Sequence, residues 1–220
     1  MVNAVSELAA LMHAADRAAT STPAAAQSAI DALPWLDASL RADRDARRFA
    51  AWGRSTAVDE NTGTGVIAPA LFDELHRRAG LPATWPVGNA GLLHCYGYPL
   101  SREPTPYGLK SDRWLTPALA VACGLPEDAF LPWLPGPTLL ARATAAAAAL
   151  SAGLHGSTVA VAGRESRVFL SASEGPAALA YAVAPSPGLP PLPVTLFPVT
   201  DAAAILTEFP TLPRLRWNAA

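Results

Sequence analysis

The sequence predicts an α+β protein, N-terminal helices followed by a mostly antiparallel sheet with helices on one face. Three observations lead there. Up to about residue 80, apolar residues recur at helical spacing between cap and stop signals. After residue 155 the period changes to short apolar runs separated by glycine-bearing turns. Helical and strand runs are segregated along the chain rather than alternating, which favours α+β over a parallel βαβ sheet. A chain of 220 residues suits one domain, with a helical part over 1–80 and a sheet-containing part over 81–220.

Each element has a local reason. Val5, Leu8, Leu11 and Met12 form an apolar stripe at helical spacing. Thr22 caps a second helix with Pro23 at its first position, and Pro34 ends it. Asp37 can cap a third helix that runs to Trp52, with Gly53 as its stop. That helix carries Asp43, Arg44, Asp45, Arg47 and Arg48, a mixed-sign set expected on a solvated face with local ion pairs. Residues 55–65 form a polar loop; its Gly-Thr-Gly lacks the Gly-Lys-Ser/Thr that a phosphate loop requires. Pro69 opens a helix closed by Gly80, with Leu71, Phe72 and Leu75 toward the core and His76, Arg77 and Arg78 at the surface. Residues 81–91 connect to an aromatic, glycine-bearing run over 91–98 that has the composition of a strand. A loop spans 99–111, a short helix follows Thr116 and Pro117 as far as Gly124, and an alanine-rich helix spans 138–151. Strands are expected over 158–162, 167–171, 178–183 and 194–199, the first three joined as hairpins. The prolines of 185–193 keep that connection out of a ladder interior, and Thr200 caps a final helix over 201–208.

The bulk composition excludes several classes. Net charge is −2 and the pI about 6.1, which argues against a nucleic-acid binder. No run of eighteen apolar residues is present, so no membrane span is expected, and the first twenty residues lack the basic region of a signal peptide. Cys95 and Cys123 form neither a disulfide framework nor a zinc spacing, so reduced thiols and a cytoplasmic location are expected. Only 15% of residues are charged; either the surface is unusually neutral or another chain covers part of it. The weight of alanine, arginine and proline suggests a GC-rich bacterial coding sequence.

One stretch stands apart. Residues 91–117 contain no alanine, in a chain where alanine is about a fifth of the residues. They hold the only lysine, Lys110, with three of the four tyrosines, one of four histidines and one of two cysteines. Strand geometry would put His94, Tyr96 and Tyr98 on one face, in a polar-aromatic row about 13 Å long at ~3.3 Å per residue. Cys95 would face the other way, so it makes no nucleophile pair with His94. The following loop, stiffened by Pro104 and Pro106, supplies Arg102, Thr105, Tyr107, Lys110, Asp112 and Arg113 as candidate substrate-binding groups. Three cations within twelve residues suit a carboxylate, sulfate or phosphate. His94 is the natural acid or base, Lys110 a base or anion clamp, and Tyr96, Tyr98 or Tyr107 an oxyanion donor. The alternative is structural: Lys110 pairs with Asp112, and the tyrosines line an ordinary sheet face. No nucleophile elbow and no paired-histidine metal motif occurs, and His155 is expected exposed in a turn.

These residues predict a metal-independent enzyme, with no cofactor, acting on a small anionic metabolite by elimination, cyclisation or hydrolysis, in bacterial specialised metabolism. His94, Lys110, Tyr96 and Tyr98 would carry the chemistry. A second reading is a non-catalytic partner or binding subunit, with Trp52 and Trp217 at an interface with a protein partner or a second copy. A third is a small nuclease-like domain using His94, Lys110 and Arg113.

Overall fold

The computed structural model describes residues 4–106, 108–161 and 163–211. The chain begins with α1 (Ala4–Ala18), α2 (Pro23–Asp31) and α3 (Pro34–Asp45), then a 3-10 turn, Arg48–Ala51. Strand β1 (Arg54–Thr56), helix α4 (Pro69–Ala79) and strand β2 (Val87–Asn89) follow. Next come α5 (Ala90–Leu92), a π turn (Leu93–Gly97) and a 3-10 turn (Tyr98–Leu100). Strands β3 (Pro104–Thr105) and β4 (Gly108–Leu109) precede α6 (Asp112–Leu115), α7 (Ala118–Ala122) and α8 (Leu139–Ser151). Strands β5 (His155–Val161), β6 (Arg164–Leu170), β7 (Ala177–Val183) and β8 (Leu192–Val199) form one antiparallel sheet in that order, and α9 (Ala202–Thr211) closes the described chain. The fold is α+β, helices first and sheet later.

The caps explain most helix boundaries. Thr22 Oγ1 accepts the Ala25 N–H at 3.2 Å and Thr138 Oγ1 accepts that of Ala141 at 3.1 Å, while Gly80 ends α4 at φ 68°. Pro34 opens α3 rather than ending α2, because a proline at the first helical position loses no hydrogen bond. Helix α3 also stops at Asp45 rather than reaching Trp52: Arg47 takes a left-handed conformation, φ 55°, and the chain turns. On α1 the core face is Leu11, Ala14, Ala15 and Ala18, whose small side chains let α2 approach closely. Most of the expected stripe, Val5, Leu8 and Met12, therefore faces outward.

Two polar clasps tie the helical part together. Arg78 reaches Glu74, Asp31 and Asp37 at 2.7, 2.6 and 3.1 Å, joining α4 to α2 and α3. Its hydrogen-bonded carboxylates outweigh the cost of partial burial and raise its pKa. Asp43 departs from the solvated-face expectation, being fully buried. Its carboxylate accepts from Arg48 at 2.9 Å, from Thr138 Oγ1 at 2.7 Å, and from the Tyr96 hydroxyl. His76 likewise lies inside rather than at the surface: Nδ1 donates to the Phe72 carbonyl at 2.8 Å, and Nε2 accepts the Asn89 N–H at 3.3 Å. A helix histidine with both ring nitrogens satisfied by backbone can be buried neutral.

The sheet separates two cores. Ala178, Ala180 and Leu196 face the main core, against α5, α7 and α8. Val168, Leu170, Leu179 and Tyr181 face the opposite way into a smaller core covered by Ile205, Leu206 and Phe209 of α9. Most helices thus lie on one face, and the last one crosses the other. Trp52, expected near a surface, is buried and donates to Thr144 Oγ1 at 2.8 Å; Trp217 lies outside the described residues. No helix among the described residues is long and apolar enough to cross a membrane.

Candidate functional site

The alanine-free stretch is helical where a strand was expected. Asn89 caps it by accepting the Leu92 N–H at 3.0 Å, and residues 90–100 then coil through the core with every side chain buried. Its glycines serve close packing. A Cβ on Gly91 would lie 2.7 Å from Leu140 and 2.8 Å from Trp52, and one on Gly97 would lie 2.5 Å from Ile67. A segment buried on all sides presents no solvent face whose period would separate helix from strand in sequence, and the alternation of His94, Tyr96 and Tyr98 resembles a strand face.

Helical geometry divides the expected row. His94 and Tyr98, four residues apart, stack with ring centroids 4.5 Å apart. Tyr96, two residues on in the π turn, lies on roughly the opposite side of the coil from His94 and meets Asp43 instead. Burial, then the Asp43 carboxylate, pushes the Tyr96 phenol well above its ordinary pKa, so it stays a neutral donor. Cys95 is fully buried, and desolvation raises its thiol pKa. His94 Nε2 lies 3.1 Å from Ser55 Oγ on β1, and the His94 carbonyl accepts from Trp114 Nε1 at 2.6 Å. Arg113 joins this pair, its guanidinium 5.1 Å from the Tyr98 ring centre and donating to Thr195 Oγ1 at 3.0 Å.

The other expected residues disperse. Lys110 Nζ lies 2.7 Å from Asp59 Oδ2, not against Asp112. Asp59 is almost wholly buried. Desolvation opposes its ionisation, but the Lys110 contact and the Asn61 hydrogen bonds outweigh it and hold the carboxyl below its usual pKa. The lone lysine thereby pins the 57–67 loop to β4. Arg102 turns away to Asp16 on α1, 2.9 Å distant. Thr105 Oγ1 donates to the Gly108 carbonyl at 2.7 Å within the β3–β4 hairpin, and Asp112 is exposed at the start of α6. Tyr107 lies outside the described residues. His155 opens β5 and is half-buried. The structure therefore brings together His94, Tyr98 and Arg113, and separates them from Tyr96 and Arg102.

A cavity of about 590 Å³ lies elsewhere, where the β1–β2 ribbon meets the end of the large sheet. Leu81, Pro82, Val87, Val183, Pro185 and Leu192 give it apolar walls; its charged groups are Arg54 and Arg164. No carboxylate lines it. Neither arginine has an ion-pair partner among the described residues, and the buried Nη1 of Arg164 has no hydrogen-bond partner there. Glu165, next to Arg164 in sequence, is taken by Arg167. Ser166, on the same side of β6 as Arg164, is fully buried with its hydroxyl also unpartnered. Sequence carried one signal for this site: no acidic residue stands within four positions of Arg54.

An apolar cleft of this size, with the half-buried Arg164 and the exposed Arg54 lacking ion pairs among the described residues, is equipped to hold an anion attached to an apolar body. Among the described residues no three His, Cys, Asp or Glu side chains gather as metal ligands would. Comparison with protein families, with curated proteins and with solved structures returned no match for this chain.

Proposed function

We propose that this protein binds a small anionic metabolite with an apolar body in the cleft between the β1–β2 ribbon and the sheet end. The observation that carries it is the pair Arg54 and Arg164, which line an apolar cavity and have no counter-ion among the described residues. The buried Nη1 of Arg164, held from water with no acceptor among the described residues, costs folding free energy, and an incoming carboxylate or phosphate supplies the acceptor while the exposed Arg54 adds a second positive charge. The apolar walls supply affinity in proportion to the ligand surface they cover. Thermal denaturation in the presence of octanoate, benzoate, octyl phosphate or sulfate tests this reading. The amphipathic anions are expected to raise the midpoint, and Arg54→Ala with Arg164→Ala to abolish the rise. An unchanged midpoint with all four anions counts against it.

A second reading keeps the metal-independent enzyme and centres it on Ser55 and His94. It is favoured by the 3.1 Å contact between their side chains, which lie on the buried side of β1, opposite to Arg54. His94 Nε2 would accept the Ser55 proton as the hydroxyl oxygen bonds to an acyl or phosphoryl centre, and would pass that proton to the alkoxide or amine leaving group as its bond to that centre breaks. Diisopropyl fluorophosphate tests it: a new bond from Ser55 oxygen to phosphorus, with loss of fluoride, is visible as a mass increase on that peptide. An unmodified Ser55 after prolonged exposure removes this reading and leaves binding alone.

A further inference from the structure

The two edges of the four-stranded sheet differ. At one edge, β8 carries Pro193 and Pro198, and its start is tied down by the Gly53 N–H donating to the Pro193 carbonyl at 2.9 Å. Proline in an edge strand prevents another strand from adding. At the other edge, β5 runs seven residues with no proline and no acidic, lysine or arginine side chain. Its backbone pairs with β6 along its whole length, and no further backbone partner lies on its outer side among the described residues. Gly156, Thr158 and Ala160, on the face that α9 does not cover, are exposed. This is an unguarded edge of the kind soluble proteins ordinarily blunt with charge, proline or a bulge.

The uncharged character extends beyond the strand. From residue 143 to 163, twenty-one positions in a row, the chain has no aspartate, glutamate, lysine or arginine. Much of this run is at the surface: Ala145, Ala148 and Ala149 on α8, then residues 151–154, with Leu154 95% exposed. A chain that is 15% charged thus concentrates neutral surface beside this open edge of the four-stranded sheet.

We propose that β5 is the contact by which two copies of this chain associate, pairing antiparallel about a two-fold axis near Thr158 to give a continuous eight-stranded sheet. Two-fold pairing needs a strand that tolerates its own sequence. About Thr158, Ser157 faces Val159 of the second copy and Gly156 faces Ala160, so small neutral residues meet and no like charges oppose. A foreign strand would have to arrive without charges to match this surface, whereas a second copy meets that condition by construction. This inference is independent of the ligand cleft, which lies across the sheet ends at β1 and β2.

Sedimentation equilibrium on the full chain, from about 1 to 100 μM, tests it. The wild type is expected at twice the chain mass of 22.8 kDa in the upper range. Thr158→Lys, which sets two cations opposite each other, is expected to raise the dissociation constant at least tenfold without changing the circular dichroism spectrum. Mixing Thr158→Lys with Thr158→Asp is expected to restore a heterodimer. Should Thr158→Lys misfold, Ala160→Lys makes the same test at a second exposed position. A wild type monomeric throughout, or a dimer that no lysine on β5 weakens, overturns the proposal.

Discussion

The alanine-free stretch and the cleft at the sheet end invert one another. The first is rich in uncommon, chemically able side chains, and several of them are spoken for by the protein itself. Tyr96 serves Asp43, Lys110 serves Asp59, and Arg102 serves Asp16. The second is lined by ordinary residues, but its two arginines lack counter-ions among the described residues. Rarity in the sequence therefore marks polar struts that fasten a helical core, while the cleft proposed to take a ligand is marked by arginines that no carboxylate answers among the described residues. Burial is what makes the struts matter: a paired charge in the interior becomes very costly once its partner is removed.

That contrast can be broken first at Asp43. Asp43→Ala strips acceptors from Tyr96, Thr138 and Arg48 together, and a loss of about 3–5 kcal/mol in urea unfolding is expected. Asp45→Ala, two residues on and exposed beside Arg44, is expected to change stability by less than ~0.5 kcal/mol. Equal effects at the two positions would remove Asp43 from the set of struts.

Lys110→Met comes next. It leaves Asp59 buried without its cation, and a loss of about 2–3 kcal/mol is expected, less than at Asp43 because Lys110 keeps some access to water. Adding Asp59→Asn is expected to recover part of that loss, which a double-mutant cycle reads directly. If instead Lys110→Met unfolds like the wild type but loses ligand binding, the lysine belongs to a site after all.

The buried His76 sharpens the comparison through pH. Desolvation depresses its pKa in the folded state below the ordinary 6.5. The unfolded chain then takes up a proton first as pH falls, so this contribution to stability is complete above about pH 6.5 and declines below it. Urea midpoints measured from pH 8 to pH 5 are expected to fall through that window, with a smaller decline in His76→Gln.

The smallest change in stability is expected in the cleft. Arg164→Met gives up no ion pair among the described residues and removes a buried Nη1 that has no partner among them, so stability within ~0.5 kcal/mol of wild type is expected. A large loss would mean that Arg164 is a strut like the others.

Much of the architecture was legible in sequence because its signals are local. Thr22 with Pro23, Thr138, and Pro69 with Gly80 mark their helices where caps and stops require them. The strands that became β5 to β8 were located within a few residues by apolar runs and turns. Pro34 misled because one residue can end a helix or open the next. The run 91–98 misled because His94, Tyr96 and Tyr98 alternate as on a strand face, whereas all eight residues are buried and leave no solvent face to set the period. The partners of the candidate residues were the least legible, since Lys110 meets Asp59 and Tyr96 meets Asp43 about fifty positions away. Charge pairing across that distance is set by packing, and it decides which cations remain for a ligand.

The most direct test is isothermal titration of octanoate and octyl phosphate into the wild type, Lys110→Met, and the Arg54→Ala, Arg164→Ala double variant. Binding is expected in the wild type, retention within about threefold in Lys110→Met wherever it remains folded, and loss of at least tenfold in the double variant. Undiminished binding in the double variant, with loss in Lys110→Met, would contradict the account and return the site to the alanine-free stretch.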